Sequence, residues 1–94
     1  MAKLKSAEIK TALATVPEWR RKGNTITRTY KFKDFPASIK FVVALGKIAE
    51  KAWHHPDIDI RWNKVTLALT THDEGGLTAK DFTLAKKFDQ LGKK

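Results

Sequence analysis

The chain has 94 residues, of which 41% are hydrophobic and none is cysteine, and its formal net charge is +9. This length suits one domain over residues 1–94, the composition argues against disorder, and the lack of cysteine excludes disulfides and thiolate metal sites. No apolar run approaches the roughly 20 residues that a membrane span needs, and no secretory signal is visible, so we expect a cytoplasmic protein.

The positive charge is spread along the chain. Lysine and arginine occur mostly in ones and twos, and the densest group, Arg20-Arg21-Lys22, adjoins a turn. This distribution is typical of a solvated surface, although it would also suit an acidic partner. The sequence contains no recognised nucleic-acid motif and no basic stripe interleaved with aromatics, so nucleic-acid binding is not expected.

The first part of the chain predicts a helix followed by a β-hairpin. Ser6 is a candidate N-cap, apolar residues then recur at helical spacing, and Pro17 ends the helix. Residues 19–22 and 25–32 read as two strands around Gly23-Asn24, which suits a tight two-residue loop.

The middle of the chain predicts the longest helix and a second hairpin. Residues 35–53 form the helix, with Asp34 as its N-cap. Residues 57–62 and 65–71 alternate apolar and polar side chains, and Asn63-Lys64 between them is the predicted loop.

The last helix is predicted from a capping box. Thr78 is its N-cap and Asp81 stands at the third helical position. The element order is therefore α-β-β-α-β-β-α, and the hairpins make neighbouring strands antiparallel. The predicted fold class is α+β, a four-stranded antiparallel sheet with three helices packed on one face.

The register of the second hairpin predicts a shared histidine site. If Asn63-Lys64 is the loop, Trp62 pairs with Val65, and continuing the ladder places His55 opposite His72. Directly opposed side chains in a sheet lie about 5 Å apart at Cβ. We therefore expect His55 and His72 to share one small site.

His54 would add a third imidazole to that site. It follows Glu50 by one helical turn, so Glu50 is expected to orient its ring. Histidine titrates near neutral pH, and several around one cavity can supply an acid and a base together. Cysteine is absent and no serine lies near, which disfavours covalent catalysis. These residues predict an enzyme that moves protons on a small ring-shaped substrate.

The same residues allow other interpretations. The His-His-Pro segment could simply cap the helix before it. Three imidazoles with Asp57 or Asp73 could bind a metal, but no familiar zinc spacing is present, so we predict no metal. By spacing alone Asp81 is a helix cap, and Arg61 is either a solvated charge or a group that holds an anionic or carbonyl atom. The three tryptophans are expected to be core or half-buried aromatics: Trp19, Trp53 and Trp62.

Several motifs resemble those of the pterin-4a-carbinolamine dehydratases. They are E-K-A-W-H-H-P-D at 50–57, W-N-K-V at 62–65, T-H at 71–72 and G-L-T at 76–78 with Asp81, together with the hairpin that begins at Trp19. The resemblance covers nearly the whole chain. It implies the α-β-β-α-β-β-α fold and a homodimer or homotetramer in which sheet edges join.

The resemblance also implies an activity. Members of that family remove water from 4a-hydroxytetrahydropterin to give quinonoid dihydropterin, which recycles tetrahydrobiopterin, and they need no metal or organic cofactor. Animal members also serve as dimerisation cofactors of a homeodomain transcription factor. A non-catalytic role in binding a protein partner is therefore the alternative function.

By motif match the resemblance implies a set of site residues. The catalytic candidates are His54, His55 and His72, and the supporting or substrate-binding candidates are Glu50, Asp81, Trp19 and Arg61. The sequence does not assign the acid and base roles among the histidines. Trp53 is a departure, because some relatives carry an acidic residue before the two histidines, and substrate preference is accordingly less constrained than reaction type.

Overall fold

The computed structural model describes residues 2–93 and has the predicted α+β fold. Its elements in chain order are α1 (Ser6–Leu13), β1 (Arg20–Lys22), β2 (Thr25–Lys31), α2 (Phe35–Ala52), β3 (Asp57–Arg61), β4 (Lys64–Leu69), a 3-10 helix (His72–Glu74) and α3 (Ala79–Gly92). The strands form one antiparallel sheet in the order β1-β2-β4-β3. Within the described residues, no helix is long and apolar enough to cross a membrane.

The core lies between the sheet and the three helices, which cover one of its faces. Ile26, Val65, Leu67 and Leu69 point into this layer and are at most 1% exposed. The other face is polar, with cross-strand pairs such as the Thr29 and Thr66 hydroxyls at 2.8 Å. Burying each large aliphatic side chain contributes roughly 1.5–3 kcal/mol, so this alternation decides which face of the sheet receives the helices.

The predicted register of the second hairpin is wrong by two residues. Its loop is Trp62-Asn63 and Arg61 pairs with Lys64. A displacement of two keeps every side chain on its own face, so the apolar pattern cannot distinguish the two registers. Asn63 decides between them, because its carbonyl accepts from the Phe32 backbone N–H at 2.8 Å and its side-chain amide donates to the Phe32 carbonyl at 3.0 Å.

The helix ends confirm two of the three predicted caps. Asp34 caps α2, since its carboxylate accepts from the Ala37 N–H at 2.9 Å, and Thr78 is the N-cap of α3. The prediction for α1 is wrong, because Ser6 is the first helical residue and Lys5 is the N-cap. The Lys5 backbone N–H donates to the Glu8 carboxylate at 2.8 Å, which holds that end of the helix without a serine hydroxyl.

A partly buried polar cluster joins α3 to the first hairpin. One carboxylate oxygen of Asp89 accepts from the Trp19 indole at 2.9 Å, the Arg28 guanidinium at 2.8 Å and the Tyr30 hydroxyl. The Arg28 guanidinium also lies 4.2 Å from the centroid of the Tyr30 ring. Burial, and then the hydrogen bond to Asp89, raise the pKa of Tyr30 far above its ordinary value.

This cluster predicts a loss of stability at alkaline pH. Above about pH 10 the unfolded chain loses the Tyr30 proton while the folded protein keeps it, so unfolding releases a proton and becomes more favourable as pH rises. The free energy of unfolding should fall by about 1.4 kcal/mol per pH unit more steeply in wild type than in Tyr30→Phe, as measured by denaturant titration.

Tyr30 is the only tyrosine in the sequence, so tyrosinate absorbance reports on it directly. We expect this absorbance to appear only with unfolding. Tyrosinate that formed near pH 10 in the folded protein would contradict the prediction.

Candidate active site

The end of α2 and the segment after β4 line a small, open cavity of about 260 Å³. Seven residues line it: Trp53, His54, His55, Thr70, Thr71, His72 and Asp73. All three histidines are therefore neighbours. Larger clefts of about 550 and 420 Å³ lie elsewhere, and no histidine lines them. The histidine cavity is smaller than most ligand pockets, which suits a small ring.

The histidines meet by a different route from the predicted ladder. The paired part of β3 and β4 stops at Asp57 and Ala68, so the sheet does not extend to His55 or His72. Thr71 instead bridges to Gly76, and the chain between them turns through the 3-10 helix that begins at His72. His55 and His72 therefore line one cavity, as expected, but the strand ladder predicted to bring them together is absent between them.

His54 is held by a buried carboxylate. Its Nε2 lies 2.6 Å from Oδ1 of Asp81, and the two side chains are 12% and 0% exposed. The other oxygen of Asp81 accepts from the Thr71 hydroxyl at 2.9 Å and from the Thr78 backbone N–H at 3.0 Å. Since an ionised carboxylate only accepts, it selects the imidazole with hydrogen on Nε2 and leaves Nδ1 available. Asp81 is thus both the predicted cap and a partner of His54.

Glu50 contacts His55 and not His54, contrary to the i,i+4 expectation. Oε1 of Glu50 lies 2.7 Å from Nε2 of His55, and both side chains are more than half exposed. The reason is the exit from α2. Trp53 adopts a left-handed conformation with φ +54°, and the His54 N–H donates to the Ala49 carbonyl at 3.1 Å. The chain therefore does not continue the helical spacing on which the expectation depended.

His72 differs from the other two histidines. It is exposed, and its side chain makes no hydrogen bond to any of the residues 2–93. Trp53 forms one side of the cavity, with its ring edge-on to His55 at 5.6 Å and 74° between the planes. The cavity thus combines two carboxylate-paired imidazoles, one unpaired imidazole and one aromatic surface.

Two sequence candidates lie outside the cavity. Trp19 is buried in the Asp89 cluster, and Arg61 is bonded to Asp59 at 3.1 Å with 84% of its side chain exposed. Sequence reasoning gave little weight to Thr70 and Thr71, although Thr71 adjoins His72 in the T-H motif. Across the described part of the chain, no group of three or more histidine or acidic residues is arranged to hold a metal ion.

Comparisons with known proteins agree with this architecture. The family model described as pterin 4 alpha carbinolamine dehydratase matches residues 2–91. A curated relative from Roseiflexus sp. (strain RS-1) is 54% identical over 89 residues, covering 95% of this chain and 96% of its own length. Another from Picosynechococcus sp. (strain ATCC 27264 / PCC 7002 / PR-6) is 55% identical over 89 residues, covering 95% and 97%. Both relatives are named as pterin-4-alpha-carbinolamine dehydratases, and both names mark that activity as unproven.

Solved structures show the same fold. A transcriptional coactivator/pterin dehydratase from Brucella melitensis superposes with a TM-score of 0.92 at 34% identity, covering 96% of this chain and 98% of its own. A pterin dehydratase-like protein, described as a RuBisCO assembly factor in the alpha-carboxysome, has a TM-score of 0.69 at 22% identity, covering 80% and 89%. The full-length family match and the high identity over nearly the whole chain show that this protein belongs to the pterin-4a-carbinolamine dehydratase family.

Proposed function

We propose that this chain removes water from a 4a-hydroxytetrahydropterin to give the quinonoid dihydropterin, in the recycling of tetrahydrobiopterin. The observation that carries the proposal is the convergence of His54, His55 and His72 on one cavity, two of them paired with carboxylates. The reaction breaks the C4a–O bond, releases the hydroxyl as water after it gains a proton, and removes the proton from N5. It needs an acid and a base and no redox partner, so no cofactor is proposed.

His54 and His72 are the proposed proton-transfer pair. Asp81 holds Nε2 of His54, leaves Nδ1 for the substrate, and would stabilise the imidazolium that forms when His54 takes a proton. His72 has no hydrogen-bonding partner among the described residues, so its ring is free to rotate towards the substrate. His55, held by Glu50, is proposed to position the pterin ring.

The dehydration rate tests this proposal. A hydroxylase in the same cuvette would generate the substrate, and wild type should accelerate its loss. His54→Ala and His72→Ala should each reduce the acceleration by about 100-fold or more, because positioned proton transfer contributes roughly 10²–10⁴. His55→Ala should cause a smaller loss.

Arg61→Ala is the matched control for these variants. Arg61 is exposed and does not line the cavity, so its removal should leave the rate unchanged. A folded wild type without any acceleration would refute the dehydratase proposal.

Asp81 is proposed as a positioning residue, and two substitutions separate this role from capping. Asp81→Asn keeps an oxygen that can accept from the Thr78 N–H, but its amide group would donate to Nε2 of His54 and favour the opposite tautomer. We expect its stability to stay within about 1 kcal/mol of wild type while kcat falls at least about tenfold.

Asp81→Ala should lose both properties. Removing the acceptor of three buried or half-buried donors should cost roughly 2–4 kcal/mol of stability. Imidazole nitrogen resonances would report the tautomer of His54 directly. An Asp81→Asn variant with wild-type kcat and an unchanged tautomer would leave Asp81 with a structural role alone.

A homo-oligomer is proposed because α2 carries an uncovered apolar surface. Phe35, Ile39 and Val43 lie on its outer side and are 48%, 37% and 55% exposed. Of the two edge strands, β1 consists only of arginine and lysine, which discourages pairing, so the predicted joining of sheet edges would more readily use β3.

Val43→Glu should shift the assembly towards smaller species in size-exclusion chromatography with light scattering, because it places a charge in the apolar surface. Gln90→Glu adds the same charge at an exposed position of α3 and should leave the mass unchanged. A monomeric wild type would refute the homo-oligomer.

A role in binding a protein partner is the second candidate. The exposed α2 surface supports it, and two structures with this fold are described as a transcriptional coactivator/pterin dehydratase and as a RuBisCO assembly factor. An inactive, monomeric wild type would favour it over the enzyme. The cytoplasmic location and the lack of a nucleic-acid or metal partner stay predictions.

A further inference from the structure

Trp53 occupies a backbone conformation that does not favour its side chain. It follows α2 with φ +54° and ψ +41°, where glycine or asparagine is the usual residue. It is also 73% exposed, so burial does not compensate for the strain. A large aromatic residue that is both strained and exposed contributes little to the fold, and such positions concentrate at functional sites.

The surroundings of Trp53 hold it at the cavity. Its backbone carbonyl accepts from the Lys80 ammonium at 3.4 Å, and its ring meets the edge of His55, which is itself bound to Glu50. Trp53 is the only large apolar residue among the seven that line the cavity; the others present imidazole, hydroxyl or carboxylate groups. It is therefore the one broad surface there on which a flat ring could lie.

We propose that Trp53 is a specificity-determining residue whose indole stacks on the flat 2-amino-4-oxo part of the pterin ring. This inference rests on the proposed function and deepens it. C4a of the substrate is tetrahedral, but the 2-amino-4-oxo part of its ring stays conjugated and flat, so an indole can stack on that part. Indole has no group that titrates near neutral pH, so Trp53 acts on substrate binding and not on proton transfer.

Trp62 supplies a matched control. It has φ +52° and is 69% exposed, so it shares the strain and the exposure of Trp53. It lies in the loop between β3 and β4, at the opposite end of β3 from the histidines, and does not line their cavity. An effect that comes only from removing an exposed tryptophan with a left-handed backbone conformation will therefore appear in the variants of both residues.

The experiment compares wild type with Trp53→Asn, Trp53→Phe and Trp62→Asn. Asparagine tolerates the left-handed conformation, so the variants should fold. Steady-state dehydration gives kcat and KM, and equilibrium dialysis gives the affinity for an oxidised, unreactive pterin. Trp53→Asn should raise KM and the dissociation constant about tenfold, the scale of one lost stack between a base and an aromatic side chain. Its kcat should stay within about twofold of wild type, because stacking leaves the proton-transfer groups in place.

Trp53→Phe should recover most of the affinity, and Trp62→Asn should leave every value unchanged. The inference is overturned if Trp53→Asn matches Trp62→Asn, if it lowers kcat at constant KM, or if it changes only the oligomeric mass. An inactive wild type would refute the dehydratase proposal separately, and the dialysis values would still decide the role of Trp53.

Discussion

The buried carboxylate of Asp81 is the interaction on which the candidate site depends. It is 0% exposed and has three partners from three parts of the chain, namely His54 after α2, Thr71 after β4 and Thr78 at the start of α3. Leaving a buried carboxylate without such partners would be costly, so the contact among these three segments stabilises each of them. Assembly of the site and docking of α3 are therefore energetically coupled.

The backbone conformation at the end of α2 directs the two adjacent histidines to different carboxylates. A helix that continued beyond Ala52 would have placed His54 above Glu50. The left-handed turn at Trp53 directs His54 to Asp81 and brings His55 to Glu50 instead. Each imidazole thus gains its own carboxylate, one buried and one exposed. This difference in environment can give two neighbouring histidines different roles.

The sequence was sufficient for the fold, because apolar periodicity, proline positions and caps each act locally. The element order, the antiparallel sheet and the caps Asp34 and Thr78 all follow from such local rules. The register of the second hairpin does not, because two registers bury the same apolar side chains. The deciding bonds join Asn63 to Phe32, which are 31 residues apart and have no signature in either segment alone.

The proximity of the three histidines was predictable, and their hydrogen-bonding partners were less so. Proximity of the histidines followed from topology, yet the partners of His54 and His55 depend on a backbone conformation at Trp53 that its residue type disfavours. Trp19 lies outside the cavity, although the motif match placed it among the site residues. Its motif context suggested the site, but its burial beside Asp89 follows from how α3 crosses the sheet, which no local pattern encodes.

The two acidic residues of α3 also determine which parts of the molecule can respond to a ligand. Asp81 and Asp89 lie roughly 12 Å apart along the helix. Asp89 accepts three hydrogen bonds from other segments, and Asp81 accepts two, from His54 and Thr71. A helix that is fixed at both ends cannot slide or rotate without breaking one of these sets. We therefore expect conformational adjustment to a bound molecule at the cavity rim, where the indole of Trp53 and the imidazole of His72 are exposed, and not at the pair formed by His54 and the buried Asp81.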